Sequence, residues 1–360
     1  MRGAVLTEVG KPLEIRADLE LRDPGPGEVL VALRASGVCH SDLSLQNGTL
    51  TAVPPVVLGH EGAGEIIATG PGVTDVAAGD HVILVWIPPC GSCALCLGGQ
   101  PQLCTAARMA RAGQVSPLRG ADGPITLGLG IGTFGERTVV PRNAVVRIDP
   151  DIPFDVAALV GCGVMTGVGA AVNTARVTPG STVAVIGCGG VGINVIQGAR
   201  LAGAATIVAV DRLDGKLEMA ARFGATHQVR DDALGDAMAR LTTDGAGFDY
   251  VFEVVGRSST IRLAWDATRR GGTTVVVGAG SRTDMVSFSA GELFNSEKRL
   301  LGSLYGSADV RTDFGRLLRL WQAGRLDLTG LVSRRIALDG VNDAFAAMEA
   351  GEVVRSVIEF

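Results

Sequence analysis

The sequence of 360 residues contains no uninterrupted run of about 18 apolar residues, the length that a membrane-spanning helix requires, so no membrane partner is expected. Its start, Met1 to Glu8, has no long apolar h-region, which argues against a secretory signal and for a cytoplasmic location. No basic stripe is present. The net charge is −5 with the two signs interspersed, so nucleic acid is not an expected partner. Lysine is nearly absent: Lys11, Lys216 and Lys298 are the only ones, and arginine supplies the rest of the positive charge. Internal repeats and low-complexity segments are lacking too. What remains is a long, apolar-rich chain, with 47% hydrophobic residues, enough for about two domains at ~100–200 residues each.

Cysteine is what this chain does have, and its spacing is informative. In a reducing compartment thiols favour metal over disulfides. Cys90, Cys93, Cys96 and Cys104 read C-x2-C-x2-C-x7-C, which supplies four thiolates with little loop closure. Such a set saturates a tetrahedral zinc and predicts a structural site in a lobe at 90–104. Cys39 and Cys162 stand far apart. Cys39 lies in Gly37-Val38-Cys39-His40-Ser41-Asp42, and His60 in Gly59-His60-Glu61-Gly62. Cys39, His60 and Cys162 would make a three-ligand set with one coordination position open, the mark of a catalytic zinc. Zinc acidifies a bound hydroxyl, so such a centre can handle an alcohol proton. Asp42 is the expected acceptor for a His60 ring N–H, fixing its tautomer. Two zinc ions per chain are therefore expected, one closed and one open.

The remaining pattern divides the chain. Residues 1–80 read as short strands between Gly/Pro turns, for example 28–33 and 64–70, which suggests an antiparallel, barrel-like domain. Residues 105–126 are polar and Gly-rich and read as a loop. From about 165 strands alternate with helices: strands at 183–186, 207–210, 250–255 and 274–277, helices at 193–202, 216–223 and 261–269. This is the signature of a parallel sheet covered on both faces. After Leu304 the pattern gives helices at 314–323 and 341–350 and a last strand at 356–358. Residues 299–305 could pair across a two-fold axis at a sheet edge or form an internal strand.

Gly187-Cys188-Gly189-Gly190-Val191-Gly192 follows an apolar strand and opens a helix, and Asp211 ends the next strand. Gly187 would allow the sharp turn, Gly189 the approach of a pyrophosphate, and Gly192 close helix–strand packing, with unpaired N–H groups at the helix start for the phosphates. Asp211 should accept the adenosine ribose hydroxyls and repel a 2′-phosphate, favouring NAD over NADP. Arg212 beside it works against that preference.

With these motifs in place, the chain resembles the zinc-dependent alcohol dehydrogenases of the medium-chain dehydrogenase/reductase family over essentially its whole length. The resemblance rests on the CHSD and GHEGAG segments, the four-cysteine lobe, Gly161-Cys162-Gly163, the GCGGVG loop and Arg355-Ser356-Val357-Ile358. It implies an α/β protein with a GroES-like β-rich catalytic domain, residues 1–164 and 305–360, around a Rossmann doubly wound domain, residues 165–304. It implies Cys39, His60 and Cys162 as catalytic zinc ligands, Glu61 as a nearby carboxylate that can visit the metal, and Ser41 as the hydroxyl that relays the substrate proton. Coenzyme contacts are implied at His40, Thr166, Val191, Lys216 and Arg355, together with Gly187, Gly189, Gly190, Gly192, Asp211, Arg212, Val255 and Val277. Trp86 and Leu129 fall on the walls of the alcohol pocket. Two positions depart from the family. His40 stands where arginine often faces the pyrophosphate, which should weaken coenzyme binding, more so at high pH. Ser44 stands where a histidine often ends the proton relay, so the relay should end on water.

The expected activity is reversible, NAD-dependent oxidation of small-molecule alcohols to aldehydes or ketones. The resemblance places Leu43 to Leu58 beside the substrate entry, and no side chain there is charged, which favours primary, aromatic or otherwise apolar alcohols. A thiol-dependent formaldehyde dehydrogenase is the alternative, since LGIGTFGERTVV and Gly161 to Met165 resemble those enzymes. A non-catalytic NAD- and zinc-binding sensor would lack a ligand or relay residue, and a zinc-free reductase would not need these cysteines. The family also implies a homodimer or homotetramer.

Overall fold

Strand Glu28–Val38 shows how the β-rich part is built. Val29, Val31, Leu33 and Ala35 point inward while the residues between them are more exposed, the two-residue alternation of a strand with one face on a core. Its last four residues, Ala35 to Val38, are all buried. A computed structural model gives this architecture and describes residues 1–107 and 115–360. The chain divides into two compact units, Met1–Gly163 with Asp309–Phe360, and Val164–Ala308.

In the first unit, among the described residues, one sheet runs Val145–Arg147, His81–Leu84, Glu61–Thr69, Glu28–Val38, Arg355–Glu359 and Val332–Ile336, with Arg137–Pro141 also paired to Glu28–Val38. A second sheet joins Glu14–Arg16, Gly3–Leu6, Val56–Val57, Gly123–Leu127, Leu118–Gly120 and Glu20–Leu21. Register is what matters for the site. Gly37 pairs with Glu61 and Val38 with Ser356, so Cys39, Glu61 and Arg355 arrive at one end of one sheet although up to 316 residues separate them. The core between the sheets holds Leu6, Val57, Leu58, Phe134 and Ile358.

In the second unit the strands are all parallel, in the order His227–Arg230, Thr206–Asp211, Thr182–Ile186, Phe248–Glu253, Thr268–Val276 and Arg299–Gly302. That is the 3-2-1-4-5-6 order of a Rossmann sheet. Helices Gly190–Leu201, Asp214–Arg222, Leu234–Leu241 and Ser258–Ala267 connect the strands. Val208, Val210, Val251, Phe248 and Ala264 form the core on one face.

Some expectations are corrected. The stretch 105–126 is not a loop throughout: Leu118–Gly120 and Gly123–Leu127 form a hairpin, and residues 108–114 lie outside the described residues. The signal was weak because the two strands are only three and five residues long. Of the two alternatives left open for residues 299–305, the edge position holds: Arg299–Gly302 is the last strand of the parallel sheet. Residues 305–308 stay with the second unit because Gly306, at φ +64°, packs on the carbonyls of Met165 and Thr166, where a side chain would not fit. Helical residues Phe154–Thr174 have a mean hydropathy of 1.7 and would suffice in length for a bilayer, but 83% of that window is buried in the fold, as expected of a core helix.

Candidate functional site

Each of the three residues selected as ligands of an open centre is positioned by a local device. Cys39 follows Val38 and caps helix His40–Gln46. His60 follows Gly59, whose φ of +90° and contact with Thr133 and Phe134 exclude any side chain there. Cys162 sits on a π-helical turn, Val160–Val164, between two glycines. A side chain at Gly161 would press on the Leu84 carbonyl, and one at Gly163 on the Arg355 guanidinium. The Gly-Cys-Gly triplet thus lets the helix close on the sheet.

These segments bring one donor atom each of Cys39, His60, Glu61 and Cys162 within 4.8 Å of one another, all buried. Asp42 ties the set together. Its carboxylate accepts the backbone N–H of Gly59 at 3.0 Å and of Cys39 at 3.3 Å, and lies 2.9 Å from His60 Nδ1. That contact leaves Nε2 for the centre, where it is buried without a hydrogen-bond partner. Glu61 Oε1 accepts the Gly163 N–H at 3.0 Å and stands 3.3 Å from Arg355 Nη2, while Oε2 is buried and unpartnered. Trp86 meets the His60 imidazole edge-on, with ring centroids 6.1 Å apart.

Electrostatics in the metal-free chain point to a site short of one cation. A hydrogen bond from the Cys162 thiol, aided by Arg355 and His60, holds Cys39 well below the usual thiol range, and Cys162 is raised in turn. Burial works against a charged His60, yet Asp42 and then Cys39 raise its pKa well above the ordinary value. Burial pushes Glu61 up to about 8 against the opposing pull of Arg355. A dication would replace these protons, stabilising both thiolates and a neutral imidazole. Two soft sulfurs, an orphaned imidazole nitrogen and an orphaned carboxylate oxygen fit zinc.

The second cluster is closed. Cys90, Cys93, Cys96 and Cys104 place their sulfurs within 4.8 Å of one another, and all are free thiols. Cys90 and Cys96, and Cys93 and Cys104, are each 4.0 Å apart, close to the roughly 3.8 Å edge of a tetrahedron with ~2.3 Å zinc–sulfur bonds. Backbone N–H groups of Ser92 and Cys93 donate to Cys90 Sγ, and that of Cys90 to Cys104 Sγ. The Cys96 N–H is the largest cause that lowers Cys93 to about 5, and burial raises Cys96 to about 12.

The glycine loop in the second unit has the geometry expected for a phosphate cradle. Gly187 has φ +95°. A side chain at Gly192 would run into the Gly187 carbonyl oxygen, so this glycine sets how closely the helix meets the strand. A Cβ at Gly189 would meet nothing within 4 Å, which leaves open space above the start of helix Gly190–Leu201. The Asp211 carboxylate accepts Cys188 N–H at 2.8 Å and Leu213 N–H at 3.1 Å, so it is held rigidly beside the loop.

The other sequence-selected residues are distributed around these places. Ser41 is half-buried in the first turn of helix His40–Gln46, with His40 exposed beside it and Ser44 buried one turn on. Leu129 occupies a left-handed turn at φ +49° and packs on the core around Leu58. Gly167 lies against the Val191 carbonyl, which sets Thr166 beside helix Gly190–Leu201. Val255 packs its methyl against Gly187, and the Val277 N–H donates to the Glu253 carbonyl at 2.8 Å. Arg212 is exposed and Lys216 half-buried, both just past strand Thr206–Asp211. Arg355, selected as a coenzyme contact, has its guanidinium buried against Glu61. Sequence reasoning missed that pairing, and it missed Glu253. This buried carboxylate accepts the N–H groups of Val255 and Gly256 and the Thr260 hydroxyl; an acid at the end of a parallel strand was the only signal for it.

Comparison with known proteins agrees with the geometry. Residues 25–150 match the alcohol dehydrogenase GroES-like domain, and residues 190–323 the zinc-binding dehydrogenase family. The chain is 38% identical to the class-3 alcohol dehydrogenase of Cereibacter sphaeroides, covering 100% of this chain and 99% of that protein. It is 37% identical to the S-(hydroxymethyl)glutathione dehydrogenase of Paracoccus denitrificans, covering 99% of each. The structure of benzyl alcohol dehydrogenase from Acinetobacter calcoaceticus superposes with a TM-score of 0.92 at 31% identity, covering 100% of this chain and 99% of that one. By motifs, fold and kinship, the chain belongs to the zinc-dependent alcohol dehydrogenases of the medium-chain dehydrogenase/reductase family.

Proposed function

We propose that the protein oxidises apolar primary alcohols, aromatic ones included, reversibly to aldehydes with NAD, at a zinc held by Cys39, His60 and Cys162. The observation that carries this reading is the meeting of these donors and Glu61 within 4.8 Å, with His60 Nε2 lacking a partner. When bound there, zinc supplies Lewis-acid stabilisation of the deprotonated alcohol, and nicotinamide accepts the hydride. The chain's own residues do the rest. Asp42 fixes the His60 tautomer, Ser41 takes the alcohol proton, and Arg355 holds the Glu61 carboxylate ready beside the metal position. Trp86, edge-on to His60, limits the width available to the substrate, and the uncharged segment from Leu43 to Leu58 favours an apolar one. NAD is favoured over NADP by the fixed Asp211 carboxylate. Pairing of the open strand Arg299–Gly302 with its own copy fits a homodimer, and a cytoplasmic setting fits the seven free thiols.

The test is an alcohol panel with NAD and NADP, run with zinc quantification on wild type and Cys39→Ala. Expected are NADH formation with benzyl-type and primary aliphatic alcohols, two zinc ions per chain, and one zinc with no turnover in the variant. Turnover by Cys39→Ala without the second zinc would refute the mechanism. Faster turnover with NADP would refute the role of Asp211.

A thiol-dependent formaldehyde dehydrogenase is the second reading, favoured by the likeness to the S-(hydroxymethyl)glutathione dehydrogenase. It requires that formaldehyde oxidation depend on added glutathione. Against it, no acid lies between Leu43 and Leu58 to hold the amino group of such a thiol.

A further inference from the structure

Four thiolates around one zinc dication leave a net charge of about −2, which needs compensation. Among the described residues of the lobe's own segment nothing supplies it: from Val82 to Ala107 there is no Asp, Glu, Lys, Arg or His. Backbone N–H groups of Ser92, Cys93 and Cys90 meet part of the need, but they are dipoles, not charges.

A cation arrives from more than two hundred residues later in the sequence. Arg311 is in the first turn of helix Val310–Gln322, in the same unit as the lobe. Asp309, the N-cap of that helix, accepts Arg311 Nε at 2.9 Å and Nη2 at 2.8 Å. This two-point grip fixes the plane of the guanidinium and presents Nη1 to the lobe, 3.9 Å from where a Cβ of Gly91 would stand. Gly91, at φ +76°, directly follows Cys90, so the loop can curl past the guanidinium without a side chain between them. The Asp309 hydrogen bond raises the Arg311 pKa above its ordinary value, and the Cys96 sulfur adds to the same direction.

We propose that Arg311 is the counter-cation of the four-cysteine centre, oriented by Asp309, and that its charge slows loss of zinc from that centre. Arg311 touches neither substrate nor coenzyme in this role; it acts only through the metal. The proposal rests on the closed cluster binding zinc.

The experiment measures zinc release into a colorimetric chelator from chains carrying Cys39→Ala, so that only the four-cysteine ion reports. Arg311→Gln should release zinc about 3- to 5-fold faster than the Arg311 parent at low salt, the size expected for a half-exposed ion pair, and Arg311→Glu faster still. Arg311→Lys should stay near the parent, because it keeps the charge. At about 1 M salt, where screening acts over ~3 Å, the series should converge. Equal rates for the parent, Gln and Glu variants would overturn the proposal. So would a Lys variant as fast as Gln, since geometry rather than charge would then be the cause. If the parent held no zinc at all, the reading of the cluster would fail before this proposal was reached.

Discussion

Asp42→Asn isolates the device that assembles the open metal centre. The wild-type carboxylate accepts from Gly59 N–H, Cys39 N–H and the His60 ring at 3.0, 3.3 and 2.9 Å, in a site where Asp42 is 1% exposed. Asparagine keeps one acceptor but turns an N–H2 towards groups that are themselves donors. One hydrogen bond to a buried charge is worth about 1.5–3 kcal/mol, and an unsatisfied buried donor costs a further ~1–3 kcal/mol. Part of that loss falls on the His60 tautomer, and outer partners of metal ligands typically govern about 10- to 100-fold in affinity. Zinc affinity at the open centre should therefore fall by about 10- to 100-fold while the four-cysteine zinc stays. Competitive chelator titration reads this as a two-step curve whose first step moves, and circular dichroism confirms that the fold persists. Two zinc ions retained at wild-type affinity would refute the reasoning, because Asp42 would then be an ordinary buried carboxylate.

Two further outcomes follow from the second unit alone. Gly192→Ala should destabilise by about 1–3 kcal/mol, because its methyl meets the Gly187 carbonyl oxygen, whereas Gly189→Ala should change stability by less than about 0.5 kcal/mol yet lose NADH binding. Thermal melts and NADH fluorescence titrations check the pair, and equal effects of both changes on stability would count against the assigned glycine roles. Burial alone would raise the Asp249 pKa, but the Thr182 N–H and hydroxyl and the Arg269 guanidinium hold it below the usual carboxylate range. A depressed folded pKa contributes stability above the unfolded value near ~3.9, and that contribution is lost as pH falls through the folded value. Urea midpoints of Asp249→Asn should therefore fall less steeply than wild type between about pH 5 and 2; parallel slopes would refute it.

The fold was legible wherever one period ran long enough. The strand–helix alternation after residue 165 rests on elements such as Thr206–Asp211 and Gly190–Leu201, which carry clear apolar patterns. Strand His227–Arg230 was missed because only Val229 is buried in it, and helix Leu234–Leu241 because just Leu234 and Ala237 are. The hairpin at 118–127 was missed for its length. Within the site, cysteine and histidine could be selected from chemistry, since few roles suit Cys162 or His60 in their glycine-flanked settings. Arg355 could not be placed on Glu61, because nothing local reports that Val38 pairs with Ser356 while Gly37 pairs with Glu61. Register across distant strands is a tertiary fact.

That register also determines what the metal can do for the protein. Cys39, His60, Glu61, Cys162 and the supporting Asp42 and Arg355 all belong to the unit formed by Met1–Gly163 and Asp309–Phe360. The open centre therefore needs no coenzyme to assemble, and zinc bound there stabilises the folded unit by mass action on its own. Arg311 brings the returning C-terminal segment to the closed centre, as Arg355 does to the open one. Both clusters thus have an arginine beside them from the last 52 residues of the chain, Asp309–Phe360. A β-rich unit interrupted by a whole Rossmann sheet must recover its final strands across a long excursion. Two clusters that each lie against an arginine from that returning segment reward the fold in which it docks.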